Sequence, residues 1–276
     1  MRIRRAERLG LTYKELTAAL MNTGVNLGAA VMPLSLAARV RRGPPNENGK
    51  SEIVVEPRNS TAALVAKFGG RLFLLGDIFE AWVGDDQPDR VAAELATRIA
   101  ALTDRGVHVA VMRGNRDFLL GTDSRAPAWP TRCGAVLLGD EEVLDLFGQR
   151  VLIAHGDAWC TDDRAYQRFR TEVRSPAWQQ SFLSKPLAER LAIARHLREQ
   201  SELSKQSNDL GDVNEGAVRE ALQAAGVRCV IHGHTHRPGR YSVPPSGERW
   251  VLPDWLARDG RQGMLRVDAE GWHLGR

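Results

Sequence analysis

Residues 231–238 read IHGHTHRP, and this stretch decides how the rest of the chain is understood. Three histidines, His232, His234 and His236, follow an apolar, largely β-branched run at 227–231. Alternate residues of an extended segment share a face, so His234 and His236 point the same way, and imidazole is a common metal ligand. Gly233 between them lets backbone come close to whatever they hold. The competing reading is a surface loop that merely contains histidines. It loses ground because three other strands end in the same kind of group.

Residues 71–75 form an apolar strand that runs into Gly76-Asp77, and 107–112 form another that runs into Gly114-Asn115. A third, 150–154, ends at His155-Gly156-Asp157. In layered α/β folds, functional groups collect where loops converge at the carboxyl ends of strands. Asp77, Asn115, His155, His234 and His236 therefore make one candidate metal site. A carboxylate, an amide oxygen and imidazoles without a thiolate suit Mn, Fe or Zn, with the hard oxygens leaning towards Mn²⁺ or Fe²⁺. Asp77 has two oxygens and can bridge two ions, an arrangement that clamps a phosphoryl group and activates water. The glycines beside the ligands, Gly76, Gly114, Gly156 and Gly233, are expected to leave room for phosphate against the backbone. No side-chain nucleophile with an activating partner is evident, so the ion is expected to supply the nucleophile from water. Cys160 reads as a small buried hydrophobe.

Helices separate the strands. One starts near Pro88, with Val91, Leu95, Ile99 and Leu102 on one stripe and Gly106 as its stop; another spans 213–225 before Gly226. Between the third and fourth strands, about 162–208 form a helical insertion with Pro186 at a helix start and Leu187, Leu191, Ala194 and Leu197 as a stripe. Nine basic residues against six acidic over 162–206 make it a candidate cap that offers positive charge to an anionic substrate. Residues 240–243, 249–252 and 264–267 read as short antiparallel strands that finish the sheet. The chain is thus expected to be α/β, a layered sandwich of mixed sheets flanked by helices.

The N-terminal quarter differs. Residues 1–76 hold twelve Lys/Arg and five Glu, against 26 basic and 29 acidic side chains in the remainder, so the overall net charge of +4 arises there. A nucleic-acid partner for the whole chain is not expected. Residues 16–38 are uncharged, but Asn, Thr, Pro and Gly make them a poor membrane span, and a signal peptide would show a tighter apolar block. Residues 11–20 and 61–68 read as short helices, and 41–58 as a linker. Three cysteines without a CxxC pair argue against a disulfide framework and for a reducing compartment.

Four blocks, GDIFEAWVGDD (76–86), RGNRDFLLG (113–121), AHGDAWCTDDRAYQRFR (154–170) and IHGHTHRP, resemble the calcineurin-like metallophosphoesterases in order and spacing. Within them they resemble the branch that cleaves UDP-2,3-diacylglucosamine in lipid A synthesis, over about 66–276. Arg116 carries the distinction, because most relatives have His at that place, and LPDW (252–255) also fits the branch. The resemblance implies Mn²⁺, two ions expected, and attack of activated water on the pyrophosphate to give UMP and a diacylglucosamine 1-phosphate. It implies acyl chains lodged under the cap, and Asn115, Arg116, Asp163, Ser201, Lys205 and His234 as substrate contacts, with Asn208 a further cap position. Trp159, Asp162 and Tyr166 fit a structural role as well as a substrate role. A lipid-linked UDP-sugar substrate implies a cytoplasmic enzyme, peripheral on the inner-leaflet surface of the inner membrane.

One part of the pattern is missing. The family's first motif, Asp-x-His, precedes Asp77, yet Asp77 is the first Asp in the sequence and His108 the first His. One ion keeps Asp77, Asn115, His155 and His234; the other keeps only Asp77 and His236. Glu47, Glu52 and Glu56 offer carboxylates but have no neighbouring imidazole. Two explanations stand: residues 1–65 are foreign to the domain at 66–276, or the chain is a variant with one ion and reduced or altered activity.

Overall fold

The computed structural model describes residues 40–45, 51–55, 70–123, 125–207, 211–253, 264–268 and 270–275. The expected helices at 11–20 and 61–68, the uncharged stretch 16–38, Asn208 and residues 254–255 lie outside these residues. Two strands, β1 (Val40–Pro45) and β2 (Ser51–Val55), pair antiparallel with Val40 opposite Val55. The expected linker at 41–58 is therefore largely a hairpin. Its β-branched run Ile53-Val54-Val55 favours a strand.

Strands β3 (Arg71–Leu75), β4 (His108–Met112) and β5 (Val136–Leu137) form a parallel sheet in that order. Between β3 and β4 runs α1 (Arg90–Thr103), opened by Asp89, whose carboxylate accepts from the Ala92 N–H at 2.8 Å. A short helix, α2 (Trp129–Arg132), precedes β5. A second sheet contains β6 (Glu141–Leu146), β7 (Gln149–Ala154), β8 (Cys229–His232), β9 (Gly239–Val243) and β10 (Gly247–Val251), ordered β6-β7-β8-β10-β9. β7 and β8 run parallel, as do β8 and β10, while the outer pairs are antiparallel. The closing strands were expected to be antiparallel throughout; β10 takes both orientations because it sits inside the sheet. β11 (Leu265–Asp268) and β12 (Gly271–Leu274) make a separate hairpin.

The period of two along the strands sorts the core into layers. Leu72 and Leu74 join Val109, Val111 and the α1 stripe Leu95, Ile99 and Leu102 on the outside of the first sheet. Leu75 and Met112 meet Val151, Ile153, Cys229 and Ile231 between the two sheets. Leu152, Ala154 and Val230 turn outward to α6 (Glu215–Ala225), covered by Val218 and Leu222. Each such side chain contributes roughly 1.5–3 kcal/mol on burial, which fixes strand register, since a one-residue slip would exchange the faces.

The insertion folds as α3 (Arg164–Val173), α4 (Pro176–Leu183) and α5 (Leu187–Ser207). Leu187, Ile193 and Ala194 pack on the first core, but Leu191 is 39% exposed and does not belong to the buried stripe. Arg190 is turned inward instead, at 2% exposure. Its guanidinium bonds the Val83 carbonyl at 2.6 Å and both Asp86 oxygens, and its Nε bonds the Lys185 carbonyl. A hydrophobicity stripe does not reveal such a partner.

Candidate metal centre

Parallel register brings the loop residues together. Leu75 pairs with Met112 and Ala154 with His232, so the segments after β3, β4, β7 and β8 leave the two sheets at one rim. The Gly233 N–H donates to the His155 carbonyl at 2.9 Å and ties two of those loops directly. Asp77, His155 and His234 then offer ligand atoms that all lie within 4.8 Å of one another. Asp77 and His234 adopt positive φ, 56° and 63°, a region side chains other than Gly rarely occupy. Strain of that kind is held by surrounding structure and clusters at functional sites.

His155 is buried, and its Nδ1 donates to the Leu75 carbonyl at 2.7 Å. That bond assigns the proton to Nδ1 and leaves the Nε2 lone pair facing the cluster, 3.5 Å from Asp77 Oδ1. The inner heteroatom of the Asn115 amide lies 3.1 Å from His155 Nε2 and 3.0 Å from His234 Nδ1. Turned nitrogen-inward, the amide donates to these ring nitrogens and to Asp77. Turned oxygen-inward, it adds another acceptor to a set of acceptors, an arrangement that a cation satisfies. The donor set therefore fits a divalent ion held by Asp77, Asn115, His155 and His234. Burial pushes His234 down to about 3, with the His155 imidazole adding to the effect, so its ring stays neutral and able to ligate. Burial alone would raise the Asp77 carboxyl, but His155, Arg116 and His234 outweigh it and hold it below the usual value.

Arg116 stands beside this cluster. Its Nε lies 3.2 Å from Asp77 Oδ2, its backbone N–H donates to Asp77 Oδ1 at 2.9 Å, and its Nη1 reaches Glu80 at 2.9 Å. Arg198 on α5 donates to the same Glu80 oxygen at 2.9 Å. The Arg116 guanidinium is thus at the site, oriented by two carboxylates. His236 is exposed and is not among the residues whose ligand atoms converge. His232 points the other way: it is fully buried behind the site, edge-on to Trp159, and burial pushes it down to about 4.

The other expected contacts lie on and around the cap. Asp163 caps α3, accepting from the Tyr166 N–H at 2.9 Å. Asp162 accepts from Asn214, and Trp159 donates to Glu141. The Tyr166 ring lies 6.2 Å from His234, and its hydroxyl donates to Asp157 at 2.6 Å. Ser201 and Lys205 fall within α5, beyond the described side chains. Gly76, Gly114 and Gly156 do not leave open space: a Cβ on Gly76 would lie 2.5 Å from the Gly114 nitrogen and 2.7 Å from His155 Nδ1. Their room is filled by the loops themselves, which pack backbone against backbone. Cys160 is buried, with its thiol pushed up to about 12 by burial and the surrounding aspartates, as an inert side chain requires.

Two aspartates inside the quoted motifs carry structure that sequence reading did not assign. Asp117, wholly buried, accepts from the N–H groups of Ile78 at 2.6 Å, Gly114 at 2.7 Å and Asp77 at 3.2 Å. Burial and the Asp77 charge push its carboxyl up to about 6. Asp157 accepts from Tyr166 and from Arg170 at 2.9 Å. Burial opposes its charge, but His155, Arg170 and Arg174 hold the carboxyl well below the usual range. The only sequence signal for this tie was Arg170 and Arg174 at a spacing of four on one helix face.

Residues 56–238 match the calcineurin-like phosphoesterase family. The chain belongs to that family. This phosphoesterase is 51% identical over 205 residues to the UDP-2,3-diacylglucosamine hydrolase of Chromobacterium violaceum, covering 72% of this chain and 82% of the relative. It is 45% identical over 215 residues to the protein of the same name from Stenotrophomonas maltophilia, covering 74% and 84%. The corresponding Serratia proteamaculans protein is 42% identical over 208 residues, covering 74% and 83%. The α/β layered fold and the phosphoesterase class expected from the four motifs are therefore borne out. Among the described residues no helix is long and apolar enough to cross a membrane.

Proposed function

We propose that this phosphoesterase hydrolyses the pyrophosphate bond of UDP-2,3-diacylglucosamine, releasing UMP and 2,3-diacylglucosamine 1-phosphate, in lipid A biosynthesis. The identity of 51% over most of the chain to a UDP-2,3-diacylglucosamine hydrolase carries the reading. The converging Asp77, Asn115, His155 and His234 support it as a metal-dependent reaction. A bound ion, with Mn²⁺ favoured by the mixed oxygen and nitrogen donors, would polarise the phosphoryl group and acidify water. Arg116 holds a fixed positive charge beside it and can grip phosphate oxygens through two N–H groups. Asn115 and His234 face the same space. In this reading the cap, with Ser201 and Lys205 on α5 and Asp163 at the start of α3, covers the sugar and acyl chains. Such a substrate puts the enzyme at the cytoplasmic face of a membrane, as a peripheral protein.

The test is UMP release from UDP-2,3-diacylglucosamine by purified protein with Mn²⁺. Activity is expected, with a loss of at least about 100-fold in His155→Ala, since that ring is both ligand and loop anchor. Absence of UMP under Mn²⁺, Mg²⁺, Zn²⁺ and Fe²⁺ alike would reject it. A second reading, a family member that binds lipid or nucleotide with little turnover, is favoured by one observation, the absence of Asp and His from residues 1–76. Lipid-dependent thermal stabilisation without UMP would select it.

A further inference from the structure

We infer that this chain builds a one-ion centre, with the Arg116 guanidinium set against the Asp77 carboxylate on the side away from His155. The inference rests on the reading that Asp77, Asn115, His155 and His234 hold a metal. Both Asp77 oxygens lie near the inner Asn115 heteroatom, at 3.3 and 3.1 Å, and both take a group of Arg116. Oδ1 faces the cluster, 3.5 Å from His155 Nε2, and takes the Arg116 backbone N–H at 2.9 Å. Oδ2 takes the Arg116 side chain at 3.2 Å.

That guanidinium is located from its other side as well. Glu80 accepts from Nη1 at 2.9 Å and is itself bonded by Arg198 from the cap. Arg116 is 18% exposed in its side chain, so this pairing is only partly open to solvent. A cation fixed by two carboxylates stays at the Asp77 edge unless both pairings are given up.

Among the described residues, Asp77, His155 and His234 are the one group of such side chains that converges, and none gathers for a second ion. Besides Asp77, His236 is the one residue of the histidine motif left for it, and His236 is exposed and outside the converging set. Residues 1–76 contain neither Asp nor His. Two divalent ions about 3.5–4 Å apart repel strongly, and a protein holds them by surrounding each with anionic or polar ligands. A guanidinium needs none of that: it is charged at every ordinary pH and asks only for acceptors. Arg116 keeps positive charge beside Asp77 where, among the described residues, no second set of ligands converges.

The test is metal content and electron paramagnetic resonance of the full chain. Protein saturated with Mn²⁺ and freed of excess metal is expected to hold one ion per chain, with the six-line signal of isolated Mn²⁺. Two ions per chain, an exchange-coupled signal, or no bound ion would overturn the inference. His236→Ala is expected to keep one ion at unchanged affinity; loss of an ion on that change would also overturn it. Arg116→Ala removes a like charge next to the ligand carboxylate and is expected to tighten Mn²⁺ binding about three- to tenfold, still at one ion per chain. Unchanged or weaker binding rejects the role given to the guanidinium. These readouts do not involve UMP: one ion per chain without turnover would sink the proposed function and leave this inference standing.

Discussion

Asp117 shows how much a single residue beside the ligands does without being one. Its carboxylate gathers N–H groups from the loops after β3 and β4, including that of Asp77 itself. It acts with the Arg116 contacts to Asp77 and Glu80 to hold those loops together, and with them holds Asp77 at its positive φ. Asp117→Asn keeps the volume but presents an NH₂ group or a single oxygen to several donors. It is expected to cost about 1–3 kcal/mol and lower the melting temperature by roughly 3–10 °C. It should also weaken Mn²⁺ binding, since Asp77 loses its anchor. A melting curve and a metal titration check both, and an unchanged titration would show that the anchor does not position the ligand. Residue type and strand-end placement made Asp77, Asn115, His155 and His234 legible in the sequence. Asp117 and Glu80 were not, because partners such as Ile78 and Arg198 lie far off in the chain and only the packed loops make them neighbours.

At the scale of elements, the strands and α1 were readable because one-sided burial writes a period of two or 3.6 into them. β6 escaped that reading: as the edge strand of its sheet it exposes Glu141, Val143 and Asp145 and carries no apolar run. The cap was read as helical, but its buried stripe was misplaced by one residue, because an arginine replaced the leucine facing inward. Arg190 ties the junction of α4 and α5 to Val83 and Asp86, in the loop that also holds Asp77 and Glu80. Arg190→Met keeps the apolar stem and removes the head, leaving the Val83 carbonyl and Asp86 without this donor. A loss of about 2–4 kcal/mol is expected, the range for breaking a buried charged pair after allowance for the partly exposed Asp86. Chymotrypsin should then cut faster at Trp178 and Phe182, which are stacked at 4.7 Å in α4. Digestion at the wild-type rate with an unchanged melting temperature would show that the cap is held by its apolar contacts alone.

Across the whole molecule, the metal cluster is the point at which the two sheets are pinned. Asp77 and Asn115 come from the parallel three-stranded sheet, His155 and His234 from the five-stranded one. The sheets share an apolar layer, but polar ties at the rim are few: the His155–Leu75 bond is one. An ion bound across the rim joins both sheets, and it binds the folded chain because the four ligands are scattered in sequence. Stabilisation then follows mass action, about 2.7 kcal/mol when free metal is a hundred times its dissociation constant. For a chain of this size that corresponds to a rise in melting temperature of roughly 5–10 °C. Thermal unfolding in EDTA against a Mn²⁺ series should show a midpoint that climbs with the logarithm of metal concentration. His155→Ala should flatten the climb, because it removes a ligand from one sheet and the tie to the other together. A midpoint that ignores metal in the unmutated protein would mean that the sheets meet through their apolar layer alone and that the cluster holds no ion at these concentrations.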